Sequence, residues 1–400
     1  MNPTRKWRVA AVMAAHFVAA FAALGVPPYF GKMLAVSLGE QRAWLPGLLY
    51  VLPTVLTAVS SPFWGRMADR LGARPMLLRA QLGLALGFVL AGLASSTPLF
   101  AAALVLQGLV GGTFGASNAF LATFLKGREL RDSLTLMQGS ARAALVVAPI
   151  VVGLLLPVED PIRVYQFLFW LPLAAVLVTL AVPPLEEAPA AVAAAPEQAA
   201  PVRPALSAGE VFALQLVFNF ATVVTFPYFL PHAEHVPGAG ARGVAGALFA
   251  LPHLVYLLGA APLSRRVREQ PLALFAGALF MLAVSLVGQA WATSLAGLVL
   301  GRLVMGLAMT VCFISLHGFV ADVVRGGRAG KAFGWFEASS KWGGVAAGVV
   351  AGAASAAWGP ASPFVIGAAG AVGASVYVLL AGWGQPAREE KEGHHVEHAR

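Results

Sequence analysis

Residues 65–75 read Gly65-Arg66-Met67-Ala68-Asp69-Arg70-Leu71-Gly72-Ala73-Arg74-Pro75, a charged turn set between two apolar runs at 44–64 and 75–95. An α-helix needs about 20 mostly apolar residues to cross hydrocarbon, so the turn joins two membrane spans. Gly65 would let the first span approach a neighbour closely, Asp69 can accept from a helix N-terminus or pair with a base, and Gly72 suits a tight turn. The same pattern repeats outward. Apolar runs at 8–30, 98–125, 133–156, 163–183, 209–231, 242–262, 271–291, 294–321, 330–355 and 361–384 bring the expected spans to twelve.

Composition agrees with that reading. The chain has 400 residues, 58% of them hydrophobic and 11% charged, and a soluble globule so composed could not cover its surface with polar groups. The shortage of charge excludes a disordered chain, the lone Cys312 excludes a disulfide scaffold, and the unbroken apolar runs lack the alternation of an outer-membrane barrel. No phosphate loop, nucleophile–base pair or metal-ligand spacing is present, so neither an enzyme nor a cofactor is expected.

A net charge of +9 would suggest a nucleic-acid partner in a soluble domain; in a membrane protein its location matters more. Of the 27 Lys and Arg, 20 fall on the side of the 65–75 turn and four, Lys32, Arg42, Arg163 and Arg242, on the other. That asymmetry places both termini in the cytoplasm of a multi-pass inner-membrane protein. The basic, then apolar, N-terminus looks like a signal peptide, but its run continues through Leu24 and Val26 and reads as an uncleaved first span. An Ala/Pro-rich stretch divides the chain into a six-span bundle over 1–185, a linker over 186–208, a second six-span bundle over 209–385 and a tail over 386–400.

The 65–75 turn resembles the signature loop of the major facilitator superfamily, Gly-x-x-x-Asp-Arg-x-Gly-Arg-Arg, in sequence and in its place between spans two and three; it departs at Ala73. The matching turn of the second half, 261–271, keeps Arg266 and Pro271 opposite Arg70 and Pro75 but has neither the glycines nor the aspartate. The resemblance implies an all-α integral membrane fold, with two pseudo-symmetric six-helix bundles and a substrate site between them near mid-bilayer. It also implies a cytoplasmic gate latched by the Gly65, Asp69, Arg70, Gly72 and Arg74 cluster, with Asp322 adding gate electrostatics beside Arg325 and Arg328. The span-four arginine of the drug exporters in this superfamily aligns at Leu104, and the second half carries Arg302 ahead of Gly306 instead. Pro149 and Gly153 are faintly similar to the antiporter motif of those exporters.

Three basic residues, Arg142, Arg302 and Lys341, fall inside spans. A charge in hydrocarbon costs about 2.5–3.5 kcal/mol on insertion scales and needs a partner or a wet cavity, so they point either to an anionic substrate or to structural pairing. Glu337 precedes Lys341 by one helical turn; it either neutralises that lysine or serves as the proton-coupling carboxylate. Gln107, Asn118, Gln215, Asn219, His253 and His317 are the polar neutral residues in spans. Gln215 and Asn219 share a helix face near Phe218, Phe226 and Tyr228, which suits an amphiphilic pocket or interhelical hydrogen bonding. His253 and His317 are either proton shuttles or structural histidines. Gly344, Gly348 and Gly352, and likewise Gly111 and Gly115, have the spacing of close helix packing. The tail, 389–398, reads as solvated rather than metal-binding.

The function expected is proton-coupled secondary transport by alternating access, by a monomer in the lipid bilayer whose partners are protons and a small anionic or amphiphilic substrate. Residues 111–121 are similar to bacterial exporters of carboxylate and hydroxamate siderophores, so export of a citrate-type siderophore is the specific expectation. The alternatives are a multidrug:proton antiporter and an organic-anion uptake symporter.

Overall fold

The computed structural model describes residues 3–125, 127–182, 206–241, 243–324 and 329–383; most of the central linker, Arg242, Arg325, Arg328 and the tail lie outside them. Among the described residues the chain is helical, without strands. The first bundle comprises α1 (Pro3–Gly25), α2 (Leu45–Leu71), α3 (Ala73–Gly92), α4 in two pieces (Thr97–Val110 and Thr113–Phe124), α5 (Gly127–Leu155) and α6 in two pieces (Val164–Leu168 and Trp170–Ala181). The second comprises α7 (Ala208–Val223, then Phe229–Ala233), α8 (Val244–Glu269), α9 (Pro271–Ala290), α10 (Leu295–Val324), α11 (Ala329–Trp358) and α12 (Ser362–Trp383). Nine of these elements are long and apolar enough to cross a membrane. The three that fall short of that measure, α5, α7 and α11, pack among the nine.

Local chemistry explains most boundaries. Gly72 takes φ +88°, ends α2 and starts α3, so most of the charged turn is helix and Gly72 alone makes the corner. Pro271 at the first turn of α9, where its missing N–H costs nothing, repeats the role of position 75. Ser207 and Glu210 form a reciprocal capping box at the start of α7. The span expected at 98–125 is found at Thr97–Phe124 with an interruption inside it: α4 stops at Val110 and restarts after Gly112, which is left-handed at φ +91°. Gly111 therefore ends a helix, and a Cβ on Gly115 would meet nothing within 4 Å; the packing role expected of this pair is absent. Gly65 likewise faces open space.

The two bundles meet along α5 with α8 and α2 with α11, and these crossings repeat each other at a constant sequence offset. Gly246 lies against the Pro149 carbonyl and the Tyr29 hydroxyl; 199 residues away in the repeat, Gly47 lies against the Gly348 carbonyl and the Tyr228 hydroxyl. Gly153 meets the Cα of Gly243, and Gly352 meets the Cα of Trp44. Tyr29 donates to Pro149 O at 2.5 Å, while Tyr228 donates to Ala43 O at 2.7 Å and accepts from Gly47 N at 3.2 Å. The same offset relates Gly108 to Gly306, to within one residue: a Cβ on either would come within 3.0 Å of a proline Cα and carbonyl, those of Pro53 and Pro252 respectively. Only glycine lets the backbones approach this closely.

These contacts seal one end of the molecule, the end of the 38–44 loop. Toward the 65–75 end the bundles part. Gly348 and Gly352 are packed on α2, whereas Gly344, one turn further along the same face, has nothing within 4 Å of a Cβ, and neither has Gly139 on α5. A space between the halves therefore opens toward the 65–75 end, with the glycine crossings as its floor. Gly348→Leu should prise that floor apart, because a side chain there collides with Val51 and the Gly47 carbonyl. With Cys312→Ser and a reporter Tyr50→Cys on the inner side, labelling by an impermeant maleimide from the 38–44 side should accelerate about tenfold, the effect of a shift of about 1.4 kcal/mol between closed and open states. An unchanged rate would mean that glycine packing does not make the seal.

Candidate functional site between the bundles

Arg142 and Lys341 are separated by the repeat offset of 199 and lie seven residues, about two turns, from Pro149 and Gly348 in the floor. They thus flank the central space from α5 and α11. Arg142 is partly exposed, with its guanidinium carbon 4.0 Å from the Phe313 ring centre and 4.9 Å from that of Tyr256. Those two rings meet at 76°, forming an aromatic corner behind the cation. No carboxylate and no hydrogen-bond acceptor among the described residues engages it. Its charge acts on both His253 and His317.

Lys341 is exposed and lines a small recess of about 180 Å³ with Tyr50, Thr54, Val223 and Ser340; it has an interaction partner of its own. Gln215 donates to the Phe336 carbonyl at 3.0 Å and the Ser340 hydroxyl at 2.7 Å. Asn219 donates to the same hydroxyl at 3.2 Å. This pair ties α7 to α11 beside the lysine. The side chains of Glu337 and Asp69 lie outside the described residues, and Asp322 has a partner of its own.

Arg302 occupies a different setting. It is 1% exposed, and its Nε donates to Leu248 O at 2.9 Å and its Nη2 to Phe249 O at 2.7 Å. The reason is one helical turn away. Pro252 has no N–H, so the Leu248 carbonyl loses its i+4 donor, and a carbonyl left unpaired in hydrocarbon is costly. The guanidinium fills that gap, with the Phe229 ring 4.3 Å beneath it. Arg302 is thus turned into α8, away from the space that Arg142 faces.

The break in α4 is repaired in the same way. Thr57 donates to Gly108 O at 3.0 Å, Trp64 to Leu109 O at 2.7 Å and Arg79 to Val110 O at 2.8 Å, with Arg79 stacked 3.7 Å over the Trp64 ring. Arg74 reaches across to the last carbonyls of α6, Thr179 at 3.3 Å and Leu180 at 2.9 Å. Arg70 is exposed at the end of α2. Arg79, Tyr29, Trp64 and Tyr256 are not among the residues expected from the sequence. The signal available was the glycine pair at 111–112, which announces carbonyls in need of donors.

The remaining expected residues scatter. Gln107 donates to Gly87 O at 3.3 Å between α3 and α4, and Tyr228 belongs to the floor. Asn118 is partly buried, with its Oδ1 unpartnered, as is the Nδ1 of fully buried His253, which packs against Phe226 and Phe249. His317 is exposed beside Phe313. Beyond the floor, at the 38–44 end, lies a vestibule of about 1030 Å³ lined by Lys32, Glu40, Arg42 and Glu234. Lys32 and Glu234 pair across the two bundles at 3.8 Å. The hydrogen bond from the exposed Arg42 side chain pushes the Glu40 carboxyl down to about 2.

A family model described as the Major Facilitator Superfamily matches residues 9–288 and again 241–398. Over 128 residues the chain is 33% identical to the staphyloferrin B transporter of Staphylococcus aureus, a stretch covering 32% of this chain and 30% of that one. Over 129 residues it is 36% identical to the multidrug resistance protein MdtG of Yersinia enterocolitica, covering 32% and 31% respectively. The matched stretches thus span about a third of these relatives. Among solved structures, the nucleoside transporter NupG superposes with a TM-score of 0.74 at 14% identity, over 96% of this chain and all of that one. The human organic anion transporter MFSD10 gives 0.64 at 19% identity, over 94% of this chain and all of that one. At such identities these two matches speak for the fold.

Replacing Arg302 by Met should strand the Leu248 carbonyl. The cost should be about 1–3 kcal/mol of stability, read as a lower melting temperature in detergent. Adding Pro252→Ala supplies the missing N–H and should recover part of it. If Arg302→Met melts like the wild type, the arginine does not brace α8.

Proposed function

This chain is a member of the major facilitator superfamily, and from that premise we propose that it exports small amphiphilic solutes across a bacterial inner membrane by alternating access, in exchange for protons. The observation that carries the reading is the space between the halves: shut at the 38–44 end by paired glycine crossings, parted toward the 65–75 end, and flanked by Arg142 with Tyr256 and Phe313 from one side and by Tyr50 and Lys341 from the other. The basic residues of the sequence crowd the open end, which supports a cytoplasmic placement of that end. An exporter loads from there. The multidrug relatives support the same direction, and the aromatic walls suit solutes with an apolar body.

A carboxylate siderophore is the second reading, favoured by the staphyloferrin B transporter among the relatives. Such a cargo calls for several cations, and Arg302 is already held by α8 carbonyls. For proton coupling, Glu337 is the candidate on α11, with His253 and His317 around Arg142 as the alternatives.

Proteoliposomes holding the purified protein test the proposal. A pH gradient should drive concentrative movement of an aromatic carboxylate such as 1-naphthoate, and nigericin should collapse it. Glu337→Gln should remove the dependence on the gradient while exchange of 1-naphthoate at equal pH persists. A variant that keeps full pH dependence would move the coupling role elsewhere, and a wild type indifferent to the gradient would end the proton reading.

A further inference from the structure

We infer that Arg142 anchors a single anionic group and that the solute preferred at the central site is a lipophilic monoanion, with an aromatic carboxylate as its simplest form. This rests on the proposed central site and narrows what it carries.

Three cations fall within spans, and the structure separates them. Arg302 has Nε and Nη2 on backbone carbonyls and its Nη1 3.3 Å from the Met305 sulfur. Lys341 already has a partner. Arg142 alone among the three meets neither an acceptor nor a carboxylate among the described residues, and it is partly exposed. A guanidinium carries five N–H donors in a fixed plane. Stacking on Phe313 and Tyr256 stabilises its charge and uses none of those donors. A carboxylate or similar oxyanion completes the arrangement with two parallel hydrogen bonds, the geometry that arginine offers and lysine does not.

The surroundings set the rest of the ligand. Phe313 and Tyr256, both half-buried, form the corner behind Arg142, and the half-buried Tyr50 ring on α2 has the buried Phe226 packed against it at 6.4 Å. A ligand whose anion sits on Arg142 lays its body along this wall. A second or third carboxylate would be drawn from water against aromatic rings with no free guanidinium to meet it, and an unpaired ion so placed carries a large desolvation penalty. The same wall selects against polycarboxylates and against cations, which would face the Arg142 charge.

The test uses 1-naphthoate, 1-naphthamide, 1-naphthylmethylammonium and citrate as competing cargoes in proteoliposomes of the full chain. The wild type should move naphthoate at least tenfold faster than the amide, the ammonium or citrate. In Arg142→Gln the naphthoate-to-amide ratio should fall to about one, and Arg142→Lys should retain part of it. A merely structural role would lower all rates together and leave the ratio standing. Should the glutamine variant fail to reach the membrane, arginine modification by phenylglyoxal in the wild type gives the same answer: naphthoate should protect Arg142 and naphthamide should not. Equal handling of naphthoate, amide and ammonium, or protection by the amide, overturns the anion while leaving the transporter reading intact. A wild type that moves none of the four overturns both.

Discussion

A backbone carbonyl without a donor is tolerable in water and expensive in hydrocarbon, and much of this structure answers to that constraint. Proline and glycine give the helices close crossings and a break in α4, and each such place leaves carbonyls to be filled. Arg302 answers Pro252; Thr57, Trp64 and Arg79 answer the break after Val110; Arg74 answers the end of α6. The basic residues of this protein thus divide by task. Those that complete the backbone are scaffold, and Arg142 makes no such bond among the described residues, which is why the proposed anion site is placed on it.

The internal repeat makes that division visible. An offset of 199 carries Tyr29 to Tyr228, Gly47 to Gly246, Pro149 to Gly348 and Arg142 to Lys341. The floor obeys the repeat closely, since both crossings must seal by the same backbone approach. The interior departs from it. Arg302 stands where the first half has Leu104, and Arg142 stands before the corner of Phe313 and Tyr256. Symmetry holds at the floor and fails around Arg142.

Much of the fold was legible in the sequence, because twelve apolar runs, the glycine corner at Gly72 and the basic asymmetry are properties of single segments. The interruption of α4 was written in Gly111 and Gly112, yet helical spacing with Gly115 suggested packing instead. Gln215 and Asn219 were read correctly as sharing a face, but only tertiary structure shows that they grip Ser340. The three cations looked alike in sequence because each is a charge at similar depth. What separates Arg302 from Arg142 is the carbonyl freed by a proline on another helix, and no spacing within either helix reports that. The relation of Tyr29 to Tyr228 was present as a constant offset, and it becomes meaningful only when both hydroxyls are seen at the floor.

The most direct measurement of the central claim is an experimental structure of the protein with 4-iodobenzoate, located by the anomalous signal of its iodine. The account predicts iodine density in the space bounded by Tyr256, Phe313 and Phe226, with the carboxylate on Arg142 and Arg302 still bound to α8. Iodine beside Arg302 or only in the vestibule of the 38–44 end, with Arg142 left bare, would contradict it.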